Sequence, residues 1–342
     1  MIWEPHFRTL DGKHFDFQGQ CSYYLMKHGS FNIVAKFSIC GKRNVTCASE
    51  ITVTSGRTVL RLGQGQDFSV TYRGRPMRRA TKPFHNDDIN YYLASSEFDA
   101  VDVWNGFKIL WDGRAEYKVV VPSWNNVVME GMLGNLNGNP DDDMITPRGA
   151  LETDPVKFGD SWLVPGSCPP GVPSHAPPNP VLTETEKKEA HEKGCKYLNK
   201  DGQNPASWPN PFKNCSSVKA LVERQAEYDN CLMDVATCNR DLSACLCPSF
   251  SFFADYCQKN GEGVGDWRSK MPGTLCKLEC DASKKEVFRM DADPCSQTCD
   301  AIKYIKENAF DCVKMQVEGC NCKDGMARNK DGVCVDIKDC PE

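Results

Sequence analysis

Cysteine constrains this chain more than any other residue: twenty occur in 342 residues, and sixteen of them fall between Cys195 and Cys340. A reducing compartment rarely holds so many thiols, so the count points to a secreted, extracellular protein framed by disulfides. Cys21, Cys40, Cys47 and Cys168 serve the whole first half. The first half must then rely on an apolar core and the second on cross-links. Structural zinc is the competing use of dense cysteine. Its paired C-x2-4-C knuckles do not recur, and only Cys245-Leu246-Cys247 and Cys320-Asn321-Cys322 bring two cysteines close together.

The length suffices for two or three domains, each with a core of its own. Net charge is −5 and the basic residues are spread among acids, which argues against nucleic acid and anionic membrane as partners. No apolar run reaches transmembrane length, and Pro5 and His6 follow Met1 too soon for a signal peptide. The chain therefore reads as a piece of a longer secreted precursor. Asn44-Val45-Thr46 and Asn214-Cys215-Ser216 fit the N-glycosylation pattern, which makes Asn44 and Asn214 candidate glycan acceptors on a secreted surface.

Residues 1 to about 163 predict antiparallel β-structure. The runs Tyr23-Tyr24-Leu25-Met26, Phe31-Asn32-Ile33-Val34-Ala35, Glu50-Ile51-Thr52-Val53-Thr54 and Tyr117-Lys118-Val119-Val120-Val121 are rich in β-branched and aromatic residues. Val101, Val103, Phe107, Ile109 and Trp111 alternate with polar neighbours before Asp112-Gly113, the signature of a hairpin. A β-sandwich over residues 1–168 follows. Prolines crowd residues 169–182 and favour an extended linker there. Thr183 and Glu186 form a capping box opening a charged helix toward Gly194. Ser216–Tyr228 and Asp241–Lys259 are helix-like, the second with Cys247, Phe250, Ala254 and Cys257 on one stripe, so residues 183–277 form a helical, disulfide-rich module. Residues 278–342 read as loop and short β-structure in which disulfides take the place of a core.

The segments Glu4-Pro5-His6-Phe7-Arg8-Thr9-Leu10-Asp11-Gly12, Gly134-Asn135-Leu136-Asn137-Gly138-Asn139-Pro140-Asp141-Asp142-Asp143 and Phe158-Gly159-Asp160-Ser161-Trp162 resemble the signatures of a von Willebrand type D domain. Cys195 to Cys276, with Trp267-Arg268 before the last cysteine, is similar to the eight-cysteine module that follows such domains, and Cys280 to Cys340 resembles a trypsin-inhibitor-like module. The resemblance spans nearly the whole chain in the family's order. It implies the bonds Cys21 with Cys168, Cys40 with Cys47, Cys195 with Cys231, Cys215 with Cys257, Cys238 with Cys245, Cys247 with Cys276, Cys280 with Cys320, Cys295 with Cys312, Cys299 with Cys340, and Cys322 with Cys334. One departure stands out: where the family carries Cys-Gly-Leu-Cys-Gly-Asn, this chain reads Glu130-Gly131-Met132-Leu133-Gly134-Asn135. That motif is associated with interchain exchange, so no covalent multimer is expected.

Asn135, Asn137, Asp142 and Asp143, with the Pro140 carbonyl, cluster hard oxygen donors that suit a structural Ca²⁺, and the resemblance adds Asp11. The spacing is not that of an EF-hand, and an Asx-rich turn held by its own hydrogen bonds is the alternative. His6 and His14 flank Asp11 as supports of that turn. No GxSxG elbow, HExxH helix or phosphate loop occurs, so no catalytic residue is assigned and enzymatic activity is not expected. The shared business of the family is adhesion, matrix assembly and partner capture, which implies an extracellular protein or glycoprotein ligand. Two alternatives are weighed against it. Protease inhibition would use Val313–Glu318, which lacks a second bracing cysteine. Luciferase chemistry occurs in ostracod proteins that share the type D scaffold, but fold likeness does not carry chemistry. The Glu4-Pro5 bond stands where self-cleaving relatives have Asp-Pro, and the longer glutamate arm misplaces the attacking oxygen, so no self-cleavage is expected.

Overall fold

The computed structural model describes residues 2–3, 6–65, 67–77, 82–103, 106–122, 129–199, 209–308, 312–313 and 315–341. Glu4, Pro5 and Lys314, which bear on self-cleavage and inhibition, lie outside them. The chain divides into two units, one of Met1–Ile39, Thr46–Ala176 and Glu279–Glu342, the other of Cys40–Val45 and Pro177–Leu278.

The first unit is built on two antiparallel sheets. Ser22–His28, Phe31–Ile39, Thr46–Ser55, Thr58–Gly63, Phe68–Tyr72 and Arg75–Pro76 pair in sequence order as a meander. In Phe31–Ile39 the period-2 pattern turns Phe31, Ile33, Ala35 and Phe37 inward. The second sheet runs Phe84–His85, Ile89–Leu93, Asp99–Val103, Lys108–Trp111, Glu116–Val120, Ile2–Trp3, His6–Arg8 and His14–Asp16. The turn at Asp112 is closed by its own side chain, whose Oδ1 accepts from the amides of Arg114, Ala115 and Glu116 at 2.8–2.9 Å. Residues of both sheets share one core, with Phe7 stacked on Phe15 at 4.9 Å and Phe31 on Phe107 at 4.6 Å. This is the antiparallel sandwich that the alternation predicts.

Two features depart from the sequence expectation. Within the stretch read as β, Pro155–Ser161 is a helix: Asp154 caps it by accepting from Val156 N at 2.9 Å, and Pro155 occupies its first turn. Phe158 and Trp162 then enter the sandwich core. Residues 279–342 also hold more than loops and bonds. Cys299–Asn308 is a helix, Val287–Ala292 pairs with Val317–Asn321, and Ala301 and Val317 pack with Tyr92, Phe98, Ala100 and Leu110 of the sandwich. The small segment borrows its core from the outer face of the second sheet, which explains why Lys108–Trp111 is buried along its whole length.

In the proline-rich stretch, Gln20 N donates to Ser174 O at 2.8 Å and Ala176 N to Gln18 O at 2.7 Å, fastening residues up to Ala176 along the sandwich.

The second unit is helical. Glu184–Lys193 opens with the full capping box, Thr183 and Glu186 each satisfying the other's backbone amide. Val218–Thr237, capped by Ser217, extends well past Tyr228, and Leu242–Lys259 is capped by Asp241. Phe250 stacks on Trp267 at 5.6 Å, and Phe212 meets Phe253 at 5.1 Å. Arg224, drawn in over these rings, donates to Leu198 O at 2.8 Å.

Disulfides join Cys21 to Cys168, Cys195 to Cys231, Cys215 to Cys257, Cys238 to Cys245, Cys247 to Cys276, Cys280 to Cys320, Cys295 to Cys312, Cys299 to Cys340, and Cys322 to Cys334. Cys40 and Cys47 are disulfide-bonded too, and no cysteine is free.

Candidate metal centre

Two segments distant in sequence build the acidic loop. The reversal between His6–Arg8 and His14–Asp16 is closed by Thr9 N donating to Lys13 O at 2.9 Å, which sets Asp11 at its tip. Leu10 N donates to Leu133 O at 2.9 Å and so ties this turn to the chain entering the loop. That entry is strand-like: Lys27 N donates to Glu130 O at 2.7 Å and Leu133 N to Leu25 O at 2.9 Å. Leu133, standing where the family has its second motif cysteine, is buried in the sandwich core, and Glu130 faces solvent. Backbone pairing and apolar packing hold the segment without a bond. Gly134 has φ +85°, and a Cβ there would lie 2.1 Å from Asp143 Oδ1, so only glycine lets the loop close over that carboxylate.

The loop's side chains converge by hydrogen bonding. Asp142 Oδ1 accepts from Asn135 Nδ2 at 3.0 Å and its Oδ2 from Asn137 Nδ2 at 2.9 Å. Asp11 Oδ2 accepts from Asn137 N at 2.9 Å. Asp143 is buried; its Oδ1 accepts from Asn135 N at 3.2 Å and its Oδ2 from the Thr9 hydroxyl at 2.5 Å. Burial pushes the Asp143 carboxyl up to about 6, and the Asn135 and Asn137 amides hold Asp142 below its ordinary value. Pro140 opens the 3-10 turn Pro140–Asp142, capped by Asn139 accepting from Asp141 N. Thr9 had no signal in the sequence, because its partner is 134 residues away.

Asp11, Asn135, Asn137, Asp142 and Asp143 are thus linked in one network of oxygen-bearing side chains. The donor set fits Ca²⁺ by chemistry, being carboxylate and amide oxygen with no sulfur or imidazole. Among the described residues no three Asp, Glu, His or Cys side chains converge as a ready metal cluster. The amide nitrogens of Asn135 and Asn137 occupy the Asp142 oxygens, so a cation would have to displace those donors.

Other candidate residues sit apart. His6 Nδ1 meets Asp16 Oδ1 at 2.8 Å across the strand pair, while His14 is exposed. Asn44 and Asn214 are both exposed. Val317 and Glu318, at the end of the stretch weighed for inhibition, are buried strand residues. No helix among the described residues is long and apolar enough to cross a membrane.

Comparison with known proteins agrees with this architecture. Residues 1–150 match the von Willebrand factor type D domain family, and residues 203–277 match the C8 domain family. The chain is 28% identical to SCO-spondin of Gallus gallus over 341 residues, covering 99% of this chain and 6% of that protein. It is 28% identical to IgGFc-binding protein of Homo sapiens, covering 98% of this chain and 6% of that protein. With von Willebrand factor of Bos taurus the identity is 27%, over 99% of this chain and 34% of that protein. The chain spans only a minor part of each relative's length. Residues 1–150, which carry the acidic loop, are accordingly matched to a von Willebrand factor type D domain and residues 203–277 to a C8 domain, in that order along the chain.

Proposed function

We propose that this chain is a secreted, non-catalytic module for adhesion or partner capture, with a structural Ca²⁺ held by Asp11, Asn135, Asn137, the Pro140 carbonyl, Asp142 and Asp143. The observation that carries the reading is the tie between the loop and the N-terminal turn through Asp11, Thr9 and Leu10, on a scaffold matching type D and C8 families. Bound there, Ca²⁺ would supply charge neutralisation and rigidity, not catalysis. Asp143, already buried and oriented by Thr9 and Asn135 N, would fix the floor of the site, and Asp11 would lock the turn to the loop. Full oxidation of the cysteines supports secretion, and pairing within the chain supports a partner held by a folded surface, not by covalent polymerisation. The ligand class is an extracellular protein or glycoprotein; one relative is named for binding IgG Fc. Glycans on Asn44 and Asn214 are part of the same reading.

Calcium binding to the folded state alone raises stability by about 2.7 kcal/mol at a hundredfold excess over Kd. Added Ca²⁺ should raise the melting temperature, chelator should lower it, and Asp142→Ala should lose the response. An unchanged melting temperature in all three would end the calcium reading. Immobilised, the calcium-loaded chain should retain a defined extracellular protein that the chelated chain releases, with a single band of monomer mass on non-reducing electrophoresis. A ladder that collapses on reduction would overturn the expectation of no covalent multimer.

A further inference from the structure

The disulfide between Cys295 and Cys312 differs from the other eight mapped bonds in two independent ways. In each of those eight at least one cysteine is buried, whereas Cys295 and Cys312 are both partly exposed. It also has cationic and phenolic neighbours. Lys108 Nζ lies 3.4 Å from Cys312 Sγ, and Tyr92 Oη lies 3.2 Å from the same sulfur. At Cys21, beside Pro173 O, and at Cys238, beside Arg240 O, the disulfide sulfur instead lies against a carbonyl oxygen.

The two sulfurs of this bond face opposite surroundings. Cys295 Sγ is 3.6 Å from Val313 O, an electron-rich oxygen that opposes negative charge there. Cys312 Sγ faces the ammonium and the hydroxyl. Lys108 is wholly buried, sits 2.5 Å from Asp102 and donates to Tyr92 Oη at 2.7 Å. Tyr92 Oη in turn donates its one proton to Asp102 Oδ2 at 2.8 Å, so it holds Lys108 in place as the donor to Cys312 Sγ. Packing on this sheet face keeps the group from bulk water, where charge–charge attraction would be weak.

We propose that Cys295–Cys312 is a directional thiol-exchange site, at which a small extracellular thiol is captured on Cys295 while Cys312 departs as a thiolate held by Lys108. The attacking thiolate forms a bond to Cys295 Sγ as the Cys295–Cys312 bond breaks, and its electron pair passes to Cys312 Sγ. No net oxidation occurs: one disulfide and one thiolate become one mixed disulfide and one thiolate. The direction follows from leaving-group chemistry, since exchange is faster when the departing sulfur is the better-stabilised thiolate. Return attack by Cys312 on the mixed disulfide restores the bond, so the modification is reversible. Lys108 touches the reacting sulfur and acts on it directly, while Tyr92 acts through Lys108, whose ammonium it positions.

The test uses the full oxidised chain, briefly exposed to reduced glutathione, quenched with iodoacetamide and mapped by peptide mass spectrometry. Glutathione should appear on Cys295 and the alkyl label on Cys312 before any other cysteine is modified. Tyr92→Phe, which removes the oxygen that positions Lys108 with little change of shape, should slow that release several-fold. Lys108→Met combined with Asp102→Asn, which avoids a stranded buried carboxylate, should slow it ~10-fold. Earlier opening of a different bond, or glutathione on Cys312, would overturn the proposal. So would an unchanged rate in Tyr92→Phe, which decides the matter alone if the double variant does not fold.

Discussion

Within residues 1–176 the sandwich carries one mapped bond, Cys21–Cys168, spanning 147 residues, and its cohesion comes from the rings of Phe7, Phe15, Phe17, Tyr23, Phe31 and Phe107 meeting between two sheets. The C8 unit packs Phe212, Phe250, Phe253 and Trp267, and four bonds spanning 36, 42, 7 and 29 residues fasten its helices. Fully burying an aromatic side chain contributes ~1.5–3 kcal/mol, and closing a loop of several tens of residues contributes roughly 3–4 kcal/mol. Where strands can stack their faces, packing suffices; where helices Val218–Thr237 and Leu242–Lys259 carry the core, covalent links add to what their packing supplies. Glu184–Lys193 buries only Ala190 and ends just before Cys195, whose bond to Cys231 anchors its C-terminal end.

The largest test of this contrast is reduction. Removing several bonds of roughly 3–4 kcal/mol each exceeds the stability of an ordinary domain, about 5–15 kcal/mol. Under full reduction, amide hydrogen exchange should become fast throughout residues 218–259 while the strands 31–39 and 46–55 stay protected. Equal loss in both units would break the comparison. The converse change is Phe31→Ala. A buried aromatic ring lost from a core costs ~3–5 kcal/mol, so the sandwich should melt earlier with every disulfide intact, and the C8 transition should not move.

A smaller effect separates the units by pH. Burial pushes the Glu116 carboxyl up to about 8 and Asp112 up to about 6, against the nearby Lys118 amine and three backbone donors respectively. A carboxyl whose folded value is raised binds a proton that the unfolded chain has already lost. Sandwich stability should therefore be fullest below the ordinary glutamate value of 4.5 and fall as pH rises toward 8. The slope contributed by one such group is at most about 1.4 kcal/mol per pH unit. Glu116→Gln should flatten that fall in thermal unfolding measured across this range. An identical pH profile in the variant would remove Glu116 as its cause.

The contrast also explains what the sequence disclosed. Alternation in Phe31–Ile39 and the capping box at Thr183 were legible because each is local: the pattern and its consequence lie within ten residues. The cysteine partners were legible only through the family resemblance, since spacing leaves many connectivities open. Lys108–Trp111 reads as a strand but not as one covered on both faces, because the cover comes from Ala301 and Val317, about two hundred residues on. The candidate metal loop was half legible in the same way. Its donors between Asn135 and Asp143 crowd together in sequence, while Thr9, which fixes Asp143, belongs to the far end of the sheet.

The smallest predicted effect probes the helical unit where it has least packing. Thr183 Oγ1 accepts from Glu186 N at 3.3 Å, and Glu186 Oε2 accepts from Thr183 N at 2.8 Å, so each satisfies an amide that the first helical turn leaves bare. Glu186 also pairs with Arg43, which holds its carboxylate in place from the other side. Thr183→Ala removes one acceptor and frees the other to swing toward Arg43, at a cost of ~1 kcal/mol. The Cys195–Cys231 bond lies just beyond the far end of this helix and is untouched by the change. Fraying should therefore begin at Glu184 and stop short of Gly194, raising exchange rates at residues 184–188 about fivefold, since ~1 kcal/mol corresponds to that factor. The global melting temperature should stay put. A cooperative drop of the whole unit would show that the first helix is packed into the rest more firmly than its one buried residue allows, and that the division between core-held and bond-held regions has been drawn in the wrong place.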